Sequence, residues 1–265
     1  MNAASAMVQG AQLCTRRPHA KLAPVLGCYW WVDIAHGTRL RTFPDACTSV
    51  AVVVRPDEQP ESFFVGPRLA PSEGVPSIGH SLFGVRLKPG AAFLFTGTPT
   101  NVFAGGRRRL AEIVPRQATE FEARIGSALT VDDHFDALEA LMLERFTGDS
   151  IHPCVERALT MLEENAGQIR IADLARCCRV STRHLANLLR TWVGLSPKKL
   201  ARVIRFQKFL AQMEAEPSES AASRAAELGY FDQAHLTREI SQFFGATPGR
   251  VSPHHVADFS KTRCE

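Results

Sequence analysis

The stretch IADLARCCRVSTRHLANLLRTWVGLSP, residues 171–197, decides how this chain is read. A second stretch, ASRAAELGYFDQAHLTREISQFFGATP at residues 222–248, matches it at an offset of 51 residues. At that offset Ala175 meets Ala226, Cys178 meets Gly229, Ser181 meets Asp232 and Leu185 meets Leu236. Leu189 likewise meets Ile240, Trp192 meets Phe243, and Gly194-Leu195-Ser196-Pro197 meets Gly245-Ala246-Thr247-Pro248. In the first copy Ile171 to Cys178 reads as a short helix, with Ala175 small enough to admit a partner helix. Arg179-Val180 is the turn. Ser181 suits the N-cap, because its hydroxyl accepts a hydrogen bond from an amide that the helix leaves unpaired. The next helix sets Leu185, Leu188, Leu189 and Trp192 at i, i+3, i+4 and i+7, one apolar face. Gly194 ends it, and Ser196-Pro197 supplies the cap and first residue of the helix that follows. The second copy repeats the plan: a short helix over Ala221 to Leu228, Gly229 in the turn, Asp232 as N-cap, and Leu236, Ile240, Phe243 and Phe244 apolar. Both read as helix–turn–helix units, over about residues 168–194 and 219–245, joined by a long helix from Lys198 to Met213.

Charge sharpens this. The net charge is only +4, but residues 1–150 hold 15 basic and 15 acidic side chains while residues 151–265 hold 16 and 12. Between residues 168 and 209 lie Arg170, Arg176, Arg179, Arg183, Arg190, Lys198, Lys199, Arg202, Arg205 and Lys208, against the single acid Asp173. A concentrated basic block points to a polyanion partner, with a solvated basic surface as the plainer alternative. Two capped units in register across that block favour double-stranded DNA.

The front half has another texture. Short β-rich runs at residues 28–34, 48–55, 62–65, 80–87 and 91–96 are bounded by Phe43-Pro44-Asp45, Arg55-Pro56-Asp57, Gly66-Pro67 and Lys88-Pro89-Gly90. Many short strands with regular turns predict a barrel or sandwich. From residue 117 the pattern turns helical, and residues 132–146 place Phe135, Leu138, Leu141, Met142 and Phe146 on one side. That stripe reads as packing on its own domain in preference to a dimer helix. The expected architecture is therefore α+β and multidomain: a β-rich sensor or dimerisation domain over 1–116, a helical linker region over 117–150, and an all-α DNA-binding domain over 151–265.

Other classes are disfavoured. The longest apolar runs, residues 50–54 and 91–95, fall far short of the roughly 20 residues a membrane helix needs, and the first 25 residues hold no secretory apolar core. The seven cysteines, Cys14, Cys28, Cys47, Cys154, Cys177, Cys178 and Cys264, are odd in number and form no C-x-x-C pair. That argues against a disulfide scaffold or zinc ribbon and for the cytoplasm. The β half holds no H-x-H or H-x-x-x-H pair, so neither a metal nor a metal-dependent enzyme is expected. His254-His255 reads as adventitious. No G-x-S-x-G, Walker loop or G-x-G-x-x-G is present, so neither enzyme nor cofactor is expected.

These motifs resemble the AraC/XylS family of transcription regulators. The resemblance rests on Ile171-x-x-Leu174-Ala175, Val180-Ser181-x-Arg183-x-Leu185 and Gly194-x-Ser196-Pro197. A second set follows, Ala225-Ala226-x-x-Gly229-Tyr230-x-Asp232, Leu236-x-Arg238 and Phe244-Gly245-x-Thr247-Pro248. It covers about residues 152–252. The front half is similar to the cupin-like β-barrel sensor domains of some members through Phe43-Pro44-Asp45 and Gly84-Val85-Arg86-Leu87-x-Pro89-Gly90. Departures are Cys178 in the first turn, Leu189 and Ile240 in place of a frequent Phe, Glu239 opposite the apolar Leu188, and Gly249-Arg250-Val251 where an aromatic-Arg ending is usual. The resemblance implies two recognition helices in successive major grooves, ~34 Å apart on one face of B-DNA. It further implies a small-molecule effector or dimerisation in the front half, a homodimer, and RNA polymerase as partner for an activator.

The outward faces of the second helices supply the DNA-binding candidates: Thr182, Arg183, Ala186, Asn187 and Arg190 in the first unit, and Gln233, Ala234, Thr237, Arg238 and Ser241 in the second. Arg183 suits a bidentate contact to guanine and Asn187 one to adenine, with Arg190 nearer phosphate. Lys198 and Lys199 are weaker phosphate candidates. Arg202 and Arg205 have two readings, phosphate contact or pairing with acids of neighbouring helices. Trp30, Trp31, Phe64, His80, Phe83 and Arg86 are candidates to line an effector cavity, with Trp30, Phe64, His80 and Arg86 foremost. Arg107-Arg108-Arg109 reads as a basic surface loop. Cys14, Cys28 and Cys47 raise an alternative, a thiol-based redox or alkylation sensor fused to the DNA-binding module. A second alternative is a small-molecule binder that the helical half only scaffolds.

Overall fold

The computed structural model describes residues 6–9, 13–34, 39–74, 81–148, 150–216 and 221–247. The front half holds strands β1 (Ala6–Gln9), β2 (Leu13–Arg16), β3 (Leu26–Asp33), β4 (Arg39–Thr42), β5 (Thr48–Val54), β6 (Glu61–Val65), β7 (Ser72–Gly74), β8 (Ser81–Leu87) and β9 (Arg107–Arg109). They form two antiparallel sheets, one in the order β2-β3-β8-β5-β6-β9 and the other β1-β4-β7. Alternation sorts the side chains of the larger sheet. Tyr29 and Trp31 of β3, Val50 and Val52 of β5, Phe64 of β6, and Phe83 and Val85 of β8 go to one face and into one core. Trp30 and Val32, Ser49 and Ala51, Phe63 and Val65, and Leu82 and Arg86 go to the other, where a cavity also meets Thr42 of β4 and Ser72 of β7. Gly84 sits on that second face because the Val50 carbonyl, and after it the Trp30 indole, leaves no room for a Cβ. A Cβ there would lie 2.2 Å from the Val50 carbonyl and 2.9 Å from the indole.

The first face is covered by helices α1 (Ala91–Thr96), α2 (Pro115–Ser127) and α3 (Val131–Arg145). The stripe Phe135, Leu138, Leu141 and Met142 is buried in this core. Residues 91–96, expected as a strand, are therefore helical. A six-residue apolar run between turn signals fits a buried helix as well as a buried strand. Here Gly90 and Gly97, both left-handed at φ +93° and +65°, bracket one helical turn and a half. Residues 107–109 correct a second expectation: they are not a loop but edge strand β9, paired with β6. Its exposed arginines are held, Arg109 by Glu61 and Arg107 over the Phe63 ring at 4.7 Å.

The second half is helical among the described residues: α4 (Pro153–Glu164), α5 (Ile171–Cys177), α6 (Thr182–Val193), α7 (Pro197–Ala215), α8 (Ala221–Glu227) and α9 (Gln233–Phe244). The internal repeat needs one correction. The Val180 amide donates to the Ala175 carbonyl at 3.0 Å, and the Tyr230 amide to Ala225, not Ala226, at 2.9 Å. Ala175 and Ala225 are both buried, while Ala226 is exposed. Arg179 and Gly229 share the left-handed turn position, at φ +55° and +67°. The first helices of the units thus superpose at an offset of 50 and the second helices at 51. The residue that makes the difference is Phe231, inserted in the second turn and 92% exposed.

Among the described residues, two of the places where the halves meet lie at the second helices of the units. Phe43 and Ala46, from the turn after β4, belong to the core of the helical half. The 3₁₀ turn Thr100–Phe103 and α1 pack on α6.

Candidate nucleic-acid interface

Each second helix is built as its caps dictate. Ser181 Oγ accepts from the His184 amide at 3.1 Å, and Gly194 closes α6 in the left-handed region at φ +83°. Asp232 accepts from the His235 amide at 2.6 Å, and Gly245 closes α9 at φ +75°. Leu185, Leu189 and Val193 bury one face of α6, and Leu236, Ile240 and Phe243 bury one face of α9. The opposite faces are open. Thr182, Arg183, Asn187 and Arg190 are exposed and Ala186 half-buried. Gln233, Ala234 and Arg238 are exposed, with Thr237 and Ser241 half-buried. Each helix thus shows solvent a polar strip two turns long with a planar hydrogen-bonding side chain near its start. That strip is the shape and chemistry that a major groove accepts.

Between the units runs α7, buried through Leu200, Val203, Phe206 and Phe209. Lys198 and Lys199 are exposed at its start. Arg202 and Arg205 are engaged inside the domain. Arg202 Nε lies 3.3 Å from Glu239 Oε1, its Nη2 donates to Gln242 at 2.6 Å, and its guanidinium stacks over Phe243 at 5.0 Å. Arg205 donates to the Gly167 carbonyl at 3.1 Å and covers the Tyr230 ring at 5.1 Å. Glu239, the polar departure in α9, is buried because it answers Arg202 and lies 3.5 Å from His235. Burial, with Glu239 nearby, pushes the Tyr230 hydroxyl above its ordinary pKa. A groove of about 600 Å³ opens between α7 and α9, lined by Arg170, Lys198, Arg202, Arg205, Arg238 and Glu239. Its basic lining continues the charge of the open strips.

Sequence reasoning missed what holds the far ends of these helices. At the end of α6 the Trp192 ring meets Phe93 at 4.7 Å, and the Trp192 carbonyl accepts from Thr100 Oγ1 at 2.9 Å. At the end of α9 the Phe244 carbonyl accepts from Arg41 at 2.5 Å, and the Phe244 ring stacks on Phe43 at 4.6 Å and 10°. The front half therefore grips the C-terminal ends of both helices. Phe43-Pro44-Asp45 was legible as a turn, but its partners lie some 200 positions away and leave no local trace.

The effector candidates divide. Trp30 and Arg86 line the cavity between the two sheets, about 260 Å³ in volume. Phe64 does not. It is fully buried on the other face, stacked on Phe95 at 6.0 Å and edge-on to Phe103 at 4.9 Å. Trp31 and Phe83 join it in that core. Neighbouring strand residues point to opposite faces, and composition does not say which face is hollow. His80 lies outside the described residues, as do Cys264, His254 and His255. Arg68, Arg107 and Phe63 line the cavity without having been foreseen. Cys28 and Cys47 are buried, and burial pushes the Cys47 thiol up to about 12. Burial, and after it Cys154, pushes Cys178 up to about 11. Among the described residues no group of three or more His, Cys, Asp or Glu could hold a metal, and no helix is long and apolar enough to cross a membrane.

Residues 174–252 match the family described as Helix-turn-helix domain. The C-terminal domain is an AraC-type helix–turn–helix domain. Residues 15–107, ahead of that AraC-type domain, match a Domain of unknown function (DUF6597). No curated protein matches the chain in sequence. Among solved structures it is similar to ToxT from Vibrio cholerae, at 7% identity and a TM-score of 0.42 over 91% of this chain and 96% of that one. It is similar to ToxT bound to (E)-4-(8-methylnaphthalen-1-yl)but-3-enoic acid, at 9% identity and 0.42 over 91% and 97%. A ToxT structure with bound unsaturated fatty acid is similar at 11% identity and 0.41 over 94% and 95%.

Proposed function

We propose that this protein is a sequence-specific DNA-binding transcription regulator whose helices α6 and α9 enter successive major grooves. The front half acts as sensor for a small molecule, and RNA polymerase is the further partner if the protein activates. The observation that carries this is the pair of capped helices with open polar strips, one on each side of a rigid linker helix. Arg183 and Asn187 on α6, with Gln233 and Arg238 on α9, are the proposed base readers. Thr182, Ala186, Ala234 and Thr237 shape the contact, and Arg190, Lys198 and Lys199 meet phosphate. Arg202 and Arg205 are left out, because their guanidinium groups already serve Glu239, Gln242 and Gly167.

The test is a footprint of the full chain on the DNA flanking its own gene, at two salt concentrations, with Arg183→Ala beside it. A protected stretch of about two helical turns per protomer is expected, weakening steeply as salt rises. Arg183→Ala should cost about 1–3 kcal/mol on the cognate site and relax preference at one base pair. Equal weakening on cognate and random DNA would leave Arg183 only a phosphate contact. A binder with a mere helical scaffold would give no salt-dependent protection at all.

A further inference from the structure

Phe231 is 92% exposed, yet it stands at the entrance to the second recognition helix. The first unit has no such residue. There Val180, whose amide donates to the Ala175 carbonyl, packs against the helical core and is followed at once by the cap Ser181. In the second unit Tyr230 takes that place. Its amide donates to the Ala225 carbonyl, and it is 5% exposed. Phe231 is then inserted between the packed residue and the cap Asp232. An extra residue whose ring buries nothing does not serve the fold, and leaving a phenylalanine in water forgoes the stabilisation that burial would give. The turn that carries it is nonetheless fixed. The Tyr230 ring meets His235 edge-on at 5.3 Å and 82°, the Phe231 amide donates to His235 Nδ1 at 3.4 Å, and the Asp232 carboxylate accepts from the His235 amide at 2.6 Å. The ring is therefore presented from a clamped backbone, so little ordering is lost when it meets a partner.

Its neighbours say what that partner is. Among the described residues the other large exposed apolar side chains are Val102, Leu129 and Leu143, all in the front half. A protein-docking surface shows a contiguous apolar patch with a polar rim. Phe231 instead stands alone, next to the exposed Gln233 and Ala234 and a short way from the exposed Arg238. The major groove is the complement of such a surface. It is polar and anionic, and its isolated apolar feature is the 5-methyl group of thymine. The first residues of a recognition helix are the ones that meet base edges, and Phe231 lies two positions before Gln233, at that same end.

We infer that Phe231 is a base-reading residue: its ring packs on the 5-methyl group of a thymine in the half-site taken by α9. This rests on the DNA-binding role proposed above and adds a specificity residue outside the helix and the chemical group that it reads. The two units then differ in kind. The turn of the first has no residue to supply this contact, so the second half-site carries an apolar preference that the first does not draw from its turn.

The experiment begins with the full chain selecting duplexes from a random-sequence pool. The best operator is then remade with single thymines replaced by uracil, which removes only the 5-methyl group. In the parent protein at least one replacement should weaken binding about fourfold, the worth of one buried methyl group. Phe231→Ala should bind the thymine operator roughly tenfold more weakly, and its preference for thymine over uracil at that position should fall below about twofold. Phe231→Leu, still apolar, should keep part of that preference. Both variants should unfold at the parent's urea midpoint, because the ring packs on nothing, and should keep its salt slope, because phosphate contacts are untouched. A parent indifferent to every uracil would overturn the inference. So would a Phe231→Ala protein that still tells uracil from thymine at each sensitive position, or one that weakens equally on the operator and on random DNA. A Phe231→Ala protein that binds every duplex as the parent does would give the ring to a protein partner and overturn it as well. The two readings fail separately. A pool with no sequence enriched would overturn the DNA-binding role, and this inference with it, while enrichment without a uracil effect would overturn this inference alone.

Discussion

Replacing Phe43 by alanine asks whether the front half is part of the DNA-binding domain's core or only its neighbour. Phe43 is 4% exposed, lies parallel to Phe244 at 4.6 Å, meets Phe206 at 6.4 Å, and has the Arg41 guanidinium 5.6 Å above it. Truncating a buried phenylalanine costs about 3–5 kcal/mol, less where the surroundings can close in. Phe43 comes from a turn, and Arg41 also lies 5.2 Å over Phe244 and can settle onto it, so the low end, ~3 kcal/mol, is expected. The position of that loss matters more than its size. Phe43 packs with the helical half, so the cost should fall on α7 and α9 and spare β5 and β8. Hydrogen exchange on the full chain reads this directly, since ~3 kcal/mol is roughly a 150-fold rise in the exchange rate of the affected amides. Phe64→Ala, in the core of the sheet, should show the opposite pattern. A loss below ~1 kcal/mol, or equal loosening of both halves, would refute the assignment of Phe43 to the helical core.

Gly194→Ala should cost more than Gly97→Ala. Both sites are left-handed, worth about 1–2 kcal/mol for a Cβ, but only at Gly194 would the Cβ meet another segment, Pro67 at 2.7 Å and Thr100 at 3.1 Å; equal urea midpoints would mean that Pro67 and the 3₁₀ turn do not press on the end of α6. Arg202→Ala strands the buried Glu239 carboxylate and should cost about 3–5 kcal/mol, while Arg202→Ala with Glu239→Leu recovers most of it; a single variant as stable as the parent would return Arg202 to the list of phosphate contacts. A thiol pushed up to about 12 should make Cys47 alkylate at pH 8 more than ~1,000-fold slower than a free cysteine. Labelling of Cys47 by iodoacetamide at the free rate would favour the thiol-sensor alternative.

How much could be read beforehand follows from how local each cause is. Ser181, Gly194, Asp232 and Gly245 act within one helical turn of themselves, and the structure has each where its chemistry sends it. Residues 91–96 and the pair Phe63 and Phe64 were ambiguous for a different reason. Their side chains say that they are buried but not in what, and only the tertiary partner settles helix against strand or core against cavity. The extra residue at Phe231 was hidden by alanines at both 225 and 226, which let an ungapped offset look satisfactory. Arg202 and Glu239 could be suspected as partners, but nothing in either letter says that they would meet. Arg68 gave no signal at all, since an isolated arginine after Gly66-Pro67 looks like surface.

The two grips on the recognition helices bear on how such a domain could be controlled. A rigid α7 alone would fix the distance between α6 and α9, and a front half attached at one point could block DNA or leave it, but not retune the spacing. This front half is attached at both ends, by Phe93 and Thr100 to α6 and by Arg41 and Phe43 to α9. Both attachments meet the C-terminal ends of those helices, away from Thr182, Arg183, Gln233 and Ala234 at their starts. Control can therefore act while the reading faces stay open. Because the two attachments run through different segments, 93–100 and 41–46, a change in one moves α9 relative to α6 without lifting either from the domain. A small displacement at the end of a twelve-residue helix changes the angle at which its first turn meets a base edge, and bidentate contacts tolerate little misalignment. Loosening one grip would therefore be felt first in preference at the second half-site, ahead of total affinity, which is carried mainly by phosphate contacts.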